Sequence, residues 1–140
     1  MNEKELIDYG VYKVPQNKDL MMRISFILDF LDDLTEEYQS DDIIIGLEDT
    51  QESKRNTNTF QLLTKVLGAI EYWLFHKNIP YRVCHVSSWR SHSGIKGKNR
   101  DEKKANAIKK TKEKFNIVAE EDAAEAILIT DYLRHECGGW

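Results

Sequence analysis

Apolar side chains recur at helical spacing in four segments of the chain. The first segment runs from Lys18 to about Tyr38, and the second follows Thr59 and continues to Leu74. Each has an apolar stripe of the kind that covers one face of a core. A basic helix is predicted from Lys103 to Phe115, and a last helix from Glu121 to Leu133.

Three short segments have the pattern of β-strands. Residues 5–14 mix β-forming and polar side chains before Pro15, which predicts an edge strand. Residues 43–47 form a nearly continuous apolar run, typical of a strand buried on both faces of a parallel-type sheet. Residues 81–86 alternate as a strand, and a flexible loop is expected over 93–98. The predicted order βαβαβαα indicates an α/β fold in a single domain, residues 1–140.

Composition excludes several classes of protein. The chain has 140 residues, of which 41% are hydrophobic and 31% charged, as in a globular domain. No apolar stretch approaches the roughly 20 residues needed to cross a bilayer, and no signal peptide precedes the first predicted strand, so a cytoplasmic location is expected. Cys84 and Cys137 lie far apart outside any CxxC pair, which argues against a zinc site and a disulfide framework.

The charge is distributed unevenly. The formal net charge is −4, yet residues 90–114 hold ten Lys or Arg and three Asp or Glu, a local charge of +7. Phosphate binding depends on local cations, because the release of counterions near them drives it. This segment therefore predicts either a DNA-binding stripe or, alternatively, a solvated lysine-rich helix face.

Three carboxylates stand where catalytic groups are common. Glu48 directly follows the most apolar predicted strand, and ligands collect at the carboxyl ends of strands in α/β sheets. Asp122 and Glu125 are three residues apart on one helix face, although the helix dipole alone also favours acids there. Small alanines around them predict tight packing on a sheet. Such a set of oxygen ligands suits Mg²⁺ or Mn²⁺.

The order of these pieces resembles RuvC-type Holliday junction resolvases, in particular their bacteriophage branch. The resemblance spans nearly the whole chain, through residues 44–49, 56–68, 79–81, 88–90, 94–98, 103–105 and 121–126. It implies an RNase H-like mixed sheet flanked by helices, a homodimer, and metal-dependent hydrolysis of a phosphodiester in branched DNA. It also implies that Glu48, Asp122 and Glu125 are catalytic metal ligands. The DNA contacts implied or suggested alongside them are Asn56, Ser88, Lys96, Lys98, Arg100, Lys103 and Lys104.

The sequence departs from this family at two places. The family usually has aspartate where Glu125 stands, and it opens with a strand that carries a further catalytic aspartate. Asp8 is too close to the first predicted helix to supply that aspartate, so the fold is expected to lack its first strand. Three hypotheses stay open: an endonuclease, an inactive relative that binds branched DNA, and an interaction protein with a solvated lysine helix.

Overall fold

The computed structural model describes residues 6–16, 18–37, 43–50 and 57–137. These residues contain five helices and two short strands, with helices taking up 65% of them. In chain order the elements are α1 (Leu20–Glu37), β1 (Ile45–Glu48), α2 (Thr57–His76), β2 (Tyr81–Cys84), α3 (Val86–Ser93), α4 (Arg100–Phe115) and α5 (Glu121–Glu136).

The expected RNase H-like mixed sheet is wrong. In the described part of the chain, β1 and β2 are parallel neighbours of four residues each, and together they form a sheet of two strands. Residues 6–14 are neither helix nor strand, and Ile7 is 78% exposed there. The reason is that a strand is stabilised by cross-strand pairs and burial, which a β-forming composition alone does not provide.

The helices expected from periodicity are confirmed, with small shifts at their ends. Helices α1, α2, α4 and α5 all lie where their apolar stripes predict them. Helix α3 was missed, because its eight residues are too few to show a helical period and four of them are serines. The apolar run before Glu48 does contain β1, but its residues are only partly buried, so the expected burial on both faces is wrong.

The chain divides into two compact units. Lys13–Val83 is one of them, and it contains α1, β1, α2 and all but the last residue of β2. Here the buried Trp73 donates a hydrogen bond from its indole Nε1 to Asp32 Oδ1 at 3.2 Å, which ties α2 to α1. The Ile45 amide donates to the Pro80 carbonyl oxygen at 3.0 Å, next to the strand pair.

The other unit comprises Met1–Tyr12 and Cys84–Trp140, and its core lies where α5 packs on α3 and α4. Small side chains on α5 allow this close approach, since Ala123 is 3% and Ala124 0% exposed. They pack with Ala119 and Ile127, against partly buried apolar side chains that include Ile108 and Phe115. The predicted tight packing of this helix is thus present, but against helices instead of a sheet.

No helix in the described ranges is both long and apolar enough to span a membrane.

Removing a completely buried side chain of α5 should destabilise the fold. Leu128 is completely buried, so Leu128→Ala should lower the free energy of unfolding by about 3 kcal/mol through lost burial and a cavity. Val118→Ala is the control, because Val118 is 74% exposed and should change that free energy by less than about 0.5 kcal/mol. Urea unfolding followed by circular dichroism measures both, and similar losses in the two variants would contradict the assigned core.

Candidate nucleic-acid interface

The segment that joins α3 to α4 has a defined backbone path. Gly94 ends α3 in the left-handed conformation, with φ at 71°, which glycine adopts at little cost. The amide of Ile95 donates to the Arg90 carbonyl oxygen at 2.9 Å, and Gly94 N–H donates to that of Ser91 at 3.2 Å. These bonds satisfy the last carbonyls of α3 and turn the chain sharply toward α4.

The start of α4 is capped by its own side chains. Asn99 Oδ1 accepts a hydrogen bond from the Glu102 amide at 2.9 Å, as in an N-cap. The Glu102 carboxylate in turn accepts from the Lys98 amide at 2.5 Å. Gly97 is needed for this close approach, because a Cβ at that position would lie 3.0 Å from the Glu102 Cβ and from the Lys103 amide nitrogen.

This capped segment presents four of the five predicted cationic DNA contacts without a carboxylate partner. Lys96, Lys98 and Arg100 are exposed, and Lys103 is partly buried. None of the four forms an ion pair with another described residue. Their charges therefore stay available to an anion in solution, as phosphate contacts require.

Lys104, the fifth predicted cation, is already engaged inside the unit. Its ammonium lies 3.2 Å from Glu121 Oε2 and 3.8 Å from Glu125 Oε1. The Lys104 side chain is only 14% exposed. A phosphate would have to compete with these two carboxylates, so a DNA contact by Lys104 stays a prediction without support from its position.

Glu125 is buried and surrounded by positive charge. Its carboxylate lies 3.7 Å from Arg90 Nη2 on α3 and 3.8 Å from Lys104 Nζ on α4. A divalent cation at this carboxylate would have to displace or repel both cations, so the surroundings of Glu125 do not fit a metal ligand. Its partners point instead to a structural ion pair that joins three helices.

The other two predicted metal ligands are exposed. Asp122 lies in the first turn of α5, and Glu48 is the last residue of β1 in the 13–83 unit. Across the described stretches of sequence, no three His, Cys, Asp or Glu side chains form a group that could hold a metal ion.

The remaining two predicted DNA contacts lie apart from the capped segment in sequence. Ser88 is partly buried on α3, and Asn56 lies outside the described residues. Trp89 is completely buried, so its role is to pack in the core of its unit.

A second buried carboxylate was missed by sequence reasoning. Asp131 is 9% exposed on α5 and forms a short hydrogen bond with the Lys114 ammonium. It also lies 3.6 Å from His92 Nε2 and 3.8 Å from Arg134 Nη2. An aspartate beside Ile127 and Leu128 in a helical stripe was the available signal, since a buried charge requires partners.

Comparison with protein families identifies relatives of this chain. Residues 4–135 match the model of a family described as Lactococcus phage M3 protein. The chain belongs to the Lactococcus phage M3 protein family. The match confirms the expected phage relationship and leaves resolvase identity a proposal. No curated protein matches the chain.

The charge surroundings of Glu125 in this M3 family member give a stability prediction. Glu125→Gln should lower the free energy of unfolding by roughly 1–3 kcal/mol, because it leaves Arg90 and Lys104 without their shared carboxylate. Glu121→Gln is the control, since its side chain is 53% exposed and an exposed pair contributes at most about 1 kcal/mol. Denaturant titrations in EDTA and in Mg²⁺ measure both variants. If Glu125 were a metal ligand, the results would be the opposite. Mg²⁺ would then stabilise the parent protein, and Glu125→Gln would be more stable than the parent protein in EDTA.

Proposed function

We propose that this protein binds branched DNA, four-way junctions in particular, through the phosphate backbone and without cutting it. The observation that carries the proposal is the set of cations on the capped segment between α3 and α4 that form no ion pair with another described residue. Lys96, Lys98 and Arg100 are exposed there, with Lys103 close behind them in sequence. The resemblance to junction resolvases supplies the branched form of the DNA, whereas the geometry supports only backbone binding.

The ordered backbone of the basic segment favours nucleic acid over the alternative of a merely solvated helix. Residues 90–114 carry +7 in a chain whose net charge is −4, so the other 115 residues carry −11. Cations that only contact water do not need a backbone that holds them in fixed positions. Here the Lys98 amide is bonded to Glu102, and Asn106 donates from its side chain to the Lys96 carbonyl oxygen. Such ordering lowers the entropy lost when phosphates bind.

The position of Glu125 argues against catalysis as the first choice. Two-metal hydrolysis needs carboxylates that bind the metal ions, whereas Glu125 already forms ion pairs with Arg90 and Lys104. A binding role makes no such demand, because the same ion pairs can hold α5 under the basic segment.

Metal-dependent cleavage stays as a second candidate. Glu48 is exposed at the carboxyl end of β1, and Asp122 is exposed at the start of α5, where Mg²⁺ or Mn²⁺ could reach either side chain. A homodimer, which the resemblance also implies, belongs to this candidate. It requires a geometry for Glu125 different from the ion-paired one.

Neutralising the capped segment should weaken junction binding and reduce its dependence on salt. The triple variant Lys96→Gln, Lys98→Gln, Arg100→Gln should reduce the magnitude of the negative slope of log K against log salt by about 2 to 3. The reason is that each lost phosphate contact removes close to one unit from that magnitude. Fluorescence polarisation of a labelled four-way junction at several salt concentrations measures this slope.

The matched control removes the same number of charges elsewhere. Lys13, Lys18 and Lys65 are exposed residues of the 13–83 unit, and their triple glutamine variant has the same net charge as the first. It should leave the slope within about 0.5 of the parent value. Equal losses in both triple variants would mean that the interaction follows net charge, and the proposed interface would be wrong. Competition with unlabelled duplex then tests whether the branch itself is preferred.

Binding without cutting predicts that divalent metal has little effect. Junction affinity should agree within about twofold between Mg²⁺ and EDTA at matched ionic strength, and the labelled strands should stay intact. Denaturing gels with Mn²⁺, Mg²⁺ or EDTA read out cleavage. Nicking near the branch that requires metal and disappears in Glu48→Gln would instead establish the second candidate. Nicking that persists in that variant would point to a contaminating nuclease.

A further inference from the structure

An open cavity lies between the end of α3 and the C-terminal part of α4, within the 84–140 part of its unit. Its volume is about 450 Å³, within the range of roughly 300–1,000 Å³ that is usual for small-ligand sites. The last three residues of α3 and the following Gly94 form one wall. Lys110, Glu113 and Lys114 from α4 form the other. Apart from Gly94, the described residues that line the cavity have polar or charged side chains, so its chemistry suits a polar ligand.

One of the two lysines of this cavity forms no ion pair with another described residue. Lys110 and Lys114 both line it, whereas Glu113 is its one acidic lining residue. Lys114 is shared with the buried Asp131, which also faces His92. Lys110 is different, because it forms no ion pair with any other described residue. Its ammonium lies 4.0 Å from the position of a Cβ built on Gly94, at the opposite wall.

The cavity wall also contains an unpartnered donor. Ser93 is 3% exposed, and its Oγ has no hydrogen-bond partner among the described residues. A buried hydroxyl without a partner destabilises the folded state, and an acceptor at this wall would recover that loss. The ammonium of Lys110 forms no hydrogen bond with another described residue, the carbonyl oxygens at the end of α3 included.

We propose that this cavity binds one phosphate group of the DNA backbone, held by Lys110 and the Ser93 hydroxyl. Phosphate oxygens are strong acceptors for an ammonium and a hydroxyl together, and one phosphate with its sugar fits the volume. The identity of the phosphate as DNA backbone rests on the proposed function. The cavity would add an anchored contact beyond the exposed cations of the 96–103 segment, and it would fix the position of the backbone on α4.

The first test uses inorganic phosphate and the full chain. In ¹H–¹⁵N correlation spectra, phosphate should shift the amides of residues 93–95 and 110–114 saturably, whereas chloride at equal ionic strength should not. Lys110→Gln should weaken this binding about tenfold, the usual effect of losing a charge-assisted hydrogen bond. Lys109→Gln is the matched control, because Lys109 is an exposed neighbour on α4 that does not line the cavity. Its effect should stay below about twofold, since it removes only a distant charge.

A second variant separates binding from folding. Ser93→Ala should weaken phosphate binding about threefold without lowering the midpoint of urea unfolding, since the hydroxyl has no partner to lose. Three outcomes would each overturn the site. The first is a set of shifts that do not saturate with phosphate, and the second is an equal loss of phosphate affinity in Lys110→Gln and Lys109→Gln. The third is an unchanged phosphate affinity in both Ser93→Ala and Lys110→Gln. In that case Lys110 serves only to neutralise the end of α3.

The junction itself decides whether the phosphate belongs to DNA. Lys110→Gln should weaken junction binding several-fold more than Lys109→Gln in the polarisation assay. Saturable phosphate binding with equal junction affinities in the two variants would overturn the assignment to DNA and leave a site for free phosphate. Failure of every variant and of the parent to bind the junction would refute the proposed function, while the phosphate titration would still report on the cavity.

Discussion

The three-helix unit depends on neutralising two carboxylates that α5 carries into its core. Glu125 and Asp131 are each 9% exposed, and a buried charge without partners would cost several kcal/mol. The neighbouring helices supply the cations: Arg90 comes from α3, and Lys104 and Lys114 come from α4. Packing of α5 therefore requires that both neighbours lie in one register, so that each carboxylate meets its partners.

This constraint separates the lysines and arginines of residues 90–114 into two groups. Arg90, Lys104 and Lys114 are directed at carboxylates of α5, and their charge is largely cancelled within the unit. The cations of the 96–103 segment have no such partner among the described residues and keep their full charge toward solvent. The local charge of +7 thus overstates what faces solvent. It is the unpaired group, held by the caps at Gly94 and Asn99, that makes phosphate binding physically reasonable.

Sequence patterns predicted the helices well because helical periodicity is a local property. The stripes of α1, α2, α4 and α5 each report burial of one face, whatever that face packs against. Which element covers that face is not a local property, and here the resemblance to an RNase H-like fold led to the wrong prediction of a sheet. The alanines of α5 show the difference. Ala123 and Ala124 correctly predicted close packing, but the same small side chains fit against α4 as well as against a strand.

The candidate site was harder to predict for the same reason. That Asp122 and Glu125 share one helix face follows from their spacing, but their surroundings do not. One turn of α5 separates the exposed Asp122 from the buried Glu125. Arg90, a partner of Glu125, lies 35 positions earlier in the sequence, on a helix that the hydrophobic periodicity did not predict. Asp131 went unnoticed because its partners also come from other helices. The exposure of a charged loop, in contrast, needs no knowledge of partners, and Lys96, Lys98 and Arg100 are indeed exposed, whereas their contacts with DNA stay a prediction.

The same electrostatics bear on whether one surface could both bind and cut DNA. A metal ion near Glu125 would stand within a few ångströms of two fixed cations, where repulsion is strong because solvent screens buried charges poorly. Catalysis would therefore require Arg90 and Lys104 to turn away, and α5 would lose the ion pairs that hold it on α3 and α4. Phosphate binding requires no such rearrangement, since the cations of the 96–103 segment and Lys110 take no part in the ion pairs of α5. Binding is thus compatible with the packing that stabilises the unit, whereas cleavage at Glu125 would work against it.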